Sequence, residues 1–453
     1  MKRRNFLKTT LPGIAGLNLL SCKETASTDA SVVDGKVLEE QRQTDIKGSY
    51  DLIVCGAGPA GICAAISAAR SGVRTLLVEV NGCLGGIWTA GLLSWVMDWK
   101  NKSGLVTEIT GRLAVQGATP DFYSGKNFPF EVEKMKVLLE EMCRDTGKID
   151  VLLHTRLVDV VQKEQRISHV LTESKNGREA WEGEVFLDCT GDGDLAALAG
   201  CEFDMGEPGS GLTQPFTLLA MISGVTYKQI KPFVRNYGDH STKKLVLEQF
   251  REAGLDPSIK KPGIYPIRDD LFMVMFNHVY EKSGIDARQV TKATMDARSE
   301  TNRLVDGLRS LGGPWKNVYL VATAEQIGIR EARRIRGLYT VTQDDLVNGA
   351  RHDDAVCRVT FGVDVHSLNQ EVEDAAVSYG RGIRSKPYDI PLRSLISRDF
   401  NNLMMAGRNI SGDFIAYSSY RVTGNAATLG EEAGKHAAWS IQHNKLPGAP
   451  YLH

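Results

Sequence analysis

The sequence predicts an α/β fold in which a parallel sheet, extended by a β-meander, is interrupted by an inserted α+β domain. Three observations carry that reading. The apolar run Leu52–Cys55 halts at a glycine-rich turn, and helical spacing follows at once. A second apolar run, Thr75–Val78, ends on an acid, Glu79. Far downstream, a strand around Leu403–Met405 and an Ala-rich helix to about Gln442 return to this pattern after a long stretch without strand–helix alternation.

The first of these carries the most chemistry. Leu52 to Cys55 form a strand buried on both faces. In the turn Gly56-Ala57-Gly58-Pro59-Ala60-Gly61, the first glycine permits the bend, the second lets backbone approach a pyrophosphate, and the third lets the helix sit close to the strand. The helix, running to Arg70, offers free N–H groups and a positive dipole end to that pyrophosphate. Glu79, 18 residues after Gly61, places a carboxylate where ribose hydroxyls can donate to it. Glycine-rich turns alone are common; strand, turn, helix and acid together indicate an adenine dinucleotide.

Ahead of this unit, Lys2-Arg3-Arg4-Asn5-Phe6-Leu7-Lys8 resembles a twin-arginine export motif. The apolar core that follows, Thr9 to Leu20, is far below the about 20 residues of a membrane span. Leu19-Leu20-Ser21-Cys22 resembles a bacterial lipoprotein cleavage box, with Cys22 as the lipidated residue. Residues 1–22 are therefore expected to be an export signal, and 23–47, rich in Ser, Thr and Asp, a flexible tether. The mature protein is expected in the periplasm or anchored to a membrane by lipid. Its net charge of -1 and lack of a long basic run exclude a nucleic-acid footprint. No two of the eight cysteines have CxxC spacing, so neither a redox pair, an iron–sulfur run nor another metal site is expected.

After Glu79, the stretch Gly85-Gly86-Ile87-Trp88-Thr89-Ala90-Gly91 is small enough to press against a flat ring, or to serve as a structural turn. Cys83 beside it has no partner cysteine nearby. Glu131 to Arg144 has the spacing of an amphipathic helix, and Val151 to His154 that of a third buried strand. Arg156 to Gln162 and Arg166 to Glu173 read as a strand pair, and Asn176-Gly177 as the next hairpin turn. A three-stranded meander at this point marks a flavin-type dinucleotide domain. Val185–Asp188 re-enters the sheet and leads into Thr190-Gly191-Asp192-Gly193-Asp194, whose acids can cap the next helix or bind hydroxyls.

Residues 202–386 are expected to form a substrate-side domain inserted between the two parts, 48–201 and 387–445, of the cofactor domain. Within it, a strand from Phe272 to Val279 would carry His278, and one from Val359 would place Asp364 and His366 on one face. Arg330 and Arg334 lie four apart in a run of four arginines, a helical spacing that can clamp an anion or simply face solvent. Near the end, Gly424 opens the last helix, whose positive end suits the negative charge of a reduced flavin.

The ordered set GAGPAG, Glu79, LGGIWTAG, Phe130 and Lys136 on one helix, CTGDGDLAALAG, GIREARRI, DIPLRSL, MAGRNIS and RVTGNAATLGEEAG resembles the bacterial FAD-dependent oxidoreductase family of glutathione-reductase-type fold, over residues 50–442. It is also similar to the component of heterodisulfide reductase that carries four-iron clusters, but without that protein's clustered cysteines. The resemblance implies FAD held through Gly56, Gly58, Pro59, Ala60, Gly61 and Glu79. It places Gly85, Gly86, Thr89, Ala90 and Gly91 by the isoalloxazine and the adenine near Leu157. Around the ribityl and flavin it sets Gly191, Asp192, Arg408, Gly424, Asn425 and Ala426. Leu429, Glu431 and the run Asp413–Tyr417 depart from the family pattern.

The function expected is FAD-dependent oxidation or reduction of a small organic substrate, with hydride passing to or from flavin N5 and a nearby base moving a proton. Candidate bases are Tyr417, Tyr420, His278 and His366; Arg330 or Arg421 would orient the substrate. Two other readings stand beside it: an electron-transfer protein docking to a quinone or redox partner, and a lipid-tethered binding protein with structural FAD.

Overall fold

The computed structural model describes residues 31–33, 36–38, 42–235, 241–374 and 379–449. It divides into two units, Met1–Thr44 and Asp45–His453. In the first, Ser31–Val33 pairs antiparallel with Lys36–Leu38, so part of the expected tether is a hairpin. The expected export signal, 1–22, lies outside the described residues.

Three parallel strands begin the second unit: β1 (Ile46–Cys55), β2 (Thr75–Val78) and β3 (Ile149–Leu152), with helix Pro59–Arg70 joining the first two. β1 starts well before the apolar run because its polar half, from Ile46, pairs with a later strand. Ile46 and Lys47 are therefore strand residues, not tether. β3 lies earlier than the expected Val151–His154 and is only half-buried, as befits the outermost strand; the chain leaves it through His154 at φ 51°.

The meander is β4 (Arg156–Lys163), β5 (Arg166–Ser174) and β6 (Gly177–Asp188), antiparallel throughout. Gly177, at φ 89°, makes the Asn-Gly turn. β6 fuses what the sequence suggests are two strands. Its first half pairs with β5 and β1, and its second half runs parallel between β1 and Leu403–Met405. The result is a mixed seven-stranded sheet of order β3-β2-β1-β6-β5-β4, with Leu403–Met405 also on β6.

The last helix, Thr423–Gln442, packs on helix Pro59–Arg70 at backbone distance. A Cβ at Gly430 would lie 2.0 Å from the Ala60 carbonyl oxygen, and one at Gly434 2.2 Å from that of Ala64. Glu431 accepts from Leu105 N at 2.7 Å and so caps helix Leu105–Val115, whose N-cap Gly104 has no side chain to do so.

A second, antiparallel sheet of order β8-β9-β7-β10 comprises β7 (Ala220–Ser223), β8 (Gly263–Pro266), β9 (Phe272–Met275) and β10 (Tyr319–Thr323). Period two sorts its faces. Ala220, Ile222, Phe272 and Val274 bury themselves with Phe250 of helix Ser241–Glu252 and Leu304 and Leu308 of helix Ala287–Ser310. Each such large side chain contributes roughly 1.5–3 kcal/mol. Tyr265, Met273 and Met275 point the other way, into the cavity described next.

Three expected elements differ. β9 ends at Met275, leaving Asn277 and His278 beyond it, where the Asn277 amide bonds both backbone groups of Leu218. The strand before Asp364 ends at Val359, because Val365 N and His366 N donate to Tyr379 O and Gln214 Oε1 rather than to a neighbouring strand. The arginine-rich run is not helical: Gly328 is bridged to Thr217, and Arg334–Ile335 pairs with Phe203–Asp204.

Candidate active site

One cavity of about 870 Å³ runs from the glycine turn to the cavity-facing side of the second sheet. That volume lies toward the upper part of the roughly 300–1,000 Å³ typical of ligand pockets. At its first end the turn behaves as its three glycines require. Gly56 adopts φ 91°, where a side chain would be strained, and the Cβ of any other residue would sit 2.5 Å from Cys189 O. A Cβ at Gly58 would meet nothing within 4 Å, so here the backbone itself faces the space. At Gly61 it would lie 1.8 Å from Gly56 O, which makes this residue a packing glycine behind the cavity wall. Helix Pro59–Arg70 has no acid in its first turn, leaving its positive end uncompensated.

Glu79 is buried at the tip of β2, held by Ala57 N at 2.6 Å, Asn81 N at 2.8 Å and Asn81 Nδ2 at 2.7 Å. A carboxylate has about four acceptor positions, so one remains for a ribose hydroxyl. Leu157 lines the same end from the meander. Asp188 organises the opposite wall: it accepts from Thr190 N, Thr190 Oγ1 and Ala196 N, fastening the loop that holds Gly191. Burial pushes its carboxyl up to about 6, against those three hydrogen bonds. Neither Asp192 nor Asp194 caps the helix after this loop; they are taken by Arg408 at 2.8 Å and Arg333 at 2.9 Å.

Of the other residues expected at the cofactor, Pro59, Ala60, Gly86, Arg408 and Ala426 line the cavity. Gly85, Thr89, Ala90, Gly91, Asp192, Gly424 and Asn425 stand behind its wall and shape it. Gly85 N donates to Ala57 O, the Thr89 hydroxyl to Leu84 O, and the Ala90 carbonyl accepts from Glu325 N and Gln326 N. A Cβ at Gly91 would lie 2.5 Å from Ile87 Cδ1, and one at Gly424 2.3 Å from Met97 O. Val422 and Thr423 bring the positive end of the last helix to the cavity.

Among the buried polar atoms around this space that have no protein partner are Arg408 Nη1, Arg421 Nε and Asn425 Nδ2. Buried polar atoms are rarely left so. An open cradle at Gly58, a held carboxylate at Glu79, two helix N-termini and unpartnered donors fit FAD.

The far end holds the candidate chemistry. His366, Arg330 and Arg421 line it; His278, Tyr417 and Tyr420 do not. His278 lies behind Arg330, its Nε2 3.3 Å from Arg330 Nη2 and its Nδ1 3.1 Å from Tyr280 Oη. The Tyr417 hydroxyl donates to the Arg330 carbonyl, and that of Tyr420 to Ile410 O at 3.1 Å. Both tyrosines are buried structural groups. Arg330 and Arg334 part company because their segment is extended. Arg334 is buried on Glu331, Gly206 O and Gly412 O, whereas Arg330 bonds Pro215 O and Thr217 Oγ1 and looks into the cavity.

His366 Nε2 is 3.3 Å from Asp364 Oδ2, and Arg421 Nη2 is 3.3 Å from the same oxygen. A carboxylate on Nε2 favours the tautomer with its proton there and leaves Nδ1 as an acceptor. Nδ1 is shielded from water and has no protein partner. Burial, then Arg330, pushes His366 down to about 3; burial and Arg330 also hold His278 well below the usual range. Against the upward push of burial, His366, Arg421 and Arg330 keep Asp364 ionised. The dyad at neutral pH is thus a neutral imidazole beside a carboxylate.

Arg235, Lys243, Tyr265 and Tyr379 also line this end, and nothing in the sequence marked them. Lys243 sits in a helix whose polar positions read as solvated surface.

A family model described as FAD dependent oxidoreductase matches residues 51–449. Among solved structures, the chain is similar to a geranylgeranyl bacteriochlorophyll reductase-like protein from Thermoplasma acidophilum, at 12% identity over 88% of this chain and 80% of the other, with a TM-score of 0.47. It is similar to p-nitrophenol 4-monooxygenase PnpA from Pseudomonas putida at 10% identity, over 87% and 80% of the two chains, with a TM-score of 0.43. A flavin-dependent brominase matches at 12% identity over 87% and 79%, also with a TM-score of 0.43.

Proposed function

The chain belongs to the FAD dependent oxidoreductase family, and from that membership we propose that it oxidises or reduces a small organic molecule outside the cytoplasm, in the cavity just described. FAD is the cofactor and, when bound, supplies a two-electron acceptor or donor at its isoalloxazine ring. The protein's part is to hold and orient. The turn at Gly56 and Gly58 and the first helix receive the pyrophosphate, Glu79 the ribose, and the backbone around Leu157 the adenine. Arg408, steadied by Asp192, and the start of the last helix face the ring, in the glutathione-reductase manner. At the far end His366 moves the substrate's proton at Nδ1 while Asp364 keeps Nε2–H in place. Arg330 and Arg421 orient the substrate. Residues 1–22 would export the chain and Cys22 would carry a lipid.

The observation that supports this reading is that Gly58 and His366 line one cavity, so a cofactor at the glycine turn and a substrate beside His366 would share a single space. Purified protein should be yellow and hold about one FAD per chain, and one member of a panel of hydroxy acids, amino acids and sugars should bleach it under anaerobic conditions. Protein that stays colourless after refolding with FAD would overturn the cofactor assignment. Gly58→Ala, whose Cβ would enter the open cradle and meet nothing within 4 Å, should lower FAD occupancy several-fold while costing the apoprotein no more than about 1 kcal/mol, the order of an N-cap change.

A further inference from the structure

The far end of the cavity carries more positive charge than the protein balances. Arg235, Lys243, Arg330 and Arg421 all line it, with Asp364 as the carboxylate among them. Asp364 is already shared by Arg421 and His366. Among the described residues no carboxylate lies within 4.0 Å of the charged nitrogens of Arg235, Lys243 or Arg330, while twenty-nine Lys or Arg ion pairs form among other residues. The arginine at the centre is held by neutral groups alone: Pro215 O, Thr217 Oγ1, Met275 Sδ and the His278 ring.

A part-buried cation with no carboxylate beside it has given up some of its hydration without a partner in return. The charges act on one another: Arg330 is lowered to about 10 by burial and then by Arg421, and Lys243 to about 8 by burial and then by Arg235. Fixed cations kept at such a cost need an anion. Trp95, Met273 and Met275 give the wall an apolar part. Two guanidinium groups suit a planar, two-oxygen anion better than a point charge does.

We infer that the substrate is an organic carboxylate, its carboxylate received by Arg330 and Arg421 with Arg235 and Lys243 adding positive field, and its apolar body lying against Trp95, Met273 and Met275. This rests on reading the cavity as an FAD and substrate site. The pyrophosphate does not account for the cations, since its own place is the glycine turn at the other end, which has helix N–H groups to receive it.

The test is calorimetry on the protein as purified, with its flavin content measured separately. Phenylacetate, lactate and acetate are titrated beside phenylacetamide, lactamide and acetamide, with inorganic phosphate as a further arm. A carboxylate should bind at least about tenfold more tightly than its own amide and than phosphate, since a charge-assisted hydrogen bond is worth about 1.5–3 kcal/mol. Raised salt should weaken the carboxylate alone. Arg330→Met should lose at least tenfold of that affinity; should it fail to fold, Lys243→Met, which removes the cavity-lining cation of helix Ser241–Glu252, decides by losing several-fold. Equal binding of acid and amide, tighter binding of phosphate, no binding of any probe, or undiminished binding by the folded variants would overturn the inference. Colourless protein that still prefers carboxylates would sink the flavin assignment and leave the anion site standing; yellow protein indifferent to carboxylates would do the reverse.

Discussion

Gly430→Val should leave a protein that neither folds stably nor retains flavin. The last helix reaches the first at backbone distance, and a Cβ at this position would lie 2.0 Å from Ala60 O. No side-chain rotation relieves a clash with a carbonyl oxygen, so one helix has to move. Ala60 lies in the turn that begins the first helix, so movement there opens the cofactor end of the cavity as well. Overpacking in a close-packed core usually costs about 1–3 kcal/mol, and a backbone clash belongs at or above the top of that range. Against a total of about 5–15 kcal/mol, this is a large share. Gly434→Val, one turn on and 2.2 Å from Ala64 O, should act the same way. Gly111→Ala is the control. Its Cβ would meet nothing within 4 Å inside helix Leu105–Val115, so it should gain about 0.4–1 kcal/mol. Urea midpoints and flavin absorbance per chain measure both effects; a Gly430→Val protein with wild-type midpoint and colour would refute the helix contact.

What could be read from the sequence follows from how local each determinant is. The turn Gly56–Gly61 was legible because each glycine answers a short-range demand of strand, turn or helix, and the structure puts a different constraint on each. Asn176-Gly177 was legible for the same reason. The sequence shortens β1 because its outer half is largely exposed and is defined by a partner more than a hundred residues away. The spacing of Arg330 and Arg334 misled, since a four-residue interval carries meaning only on a helix and this backbone is tied to Thr217 instead. Asp364 and His366 were paired for a wrong reason: they meet at 3.3 Å without any strand beneath them. Lys243 left no trace because a cation facing a cavity and one facing water obey the same amphipathic pattern, and Arg235 lies outside any helix or strand that could give it a face. Only packing distinguishes them.

His366→Asn should lower the rate of flavin reduction at saturating substrate by roughly a hundred- to ten-thousand-fold, with FAD content and substrate affinity little changed. The asparagine amide reaches only the level of Nδ1 and offers no basic nitrogen there; His366→Gln, whose amide reaches the Nε2 position beside Asp364, keeps that donor and should lose the rate equally. Asp364→Asn tests the other half of the dyad. An amide can accept from Nε2–H or donate to a bare Nε2, so the tautomer is no longer fixed and a share of the molecules present a proton at Nδ1, where a base needs a lone pair. Arg421 loses its carboxylate in the same variant, so substrate affinity should move as well as rate. The pH dependence separates a proton-handling role from a structural one. With His366 pushed down to about 3 by burial and then by Arg330, its neutral form persists as pH falls from neutrality and is lost only as pH passes through that value. The wild-type rate should therefore stay flat on the acid side of neutrality, wherever the fold itself survives. An imidazole of ordinary pKa would instead cost activity below about 6.5. A wild-type acid limb near that value, or a His366→Asn enzyme reduced as fast as wild type, would remove His366 from the reaction and leave Asp364 as a counter-ion to Arg421 alone.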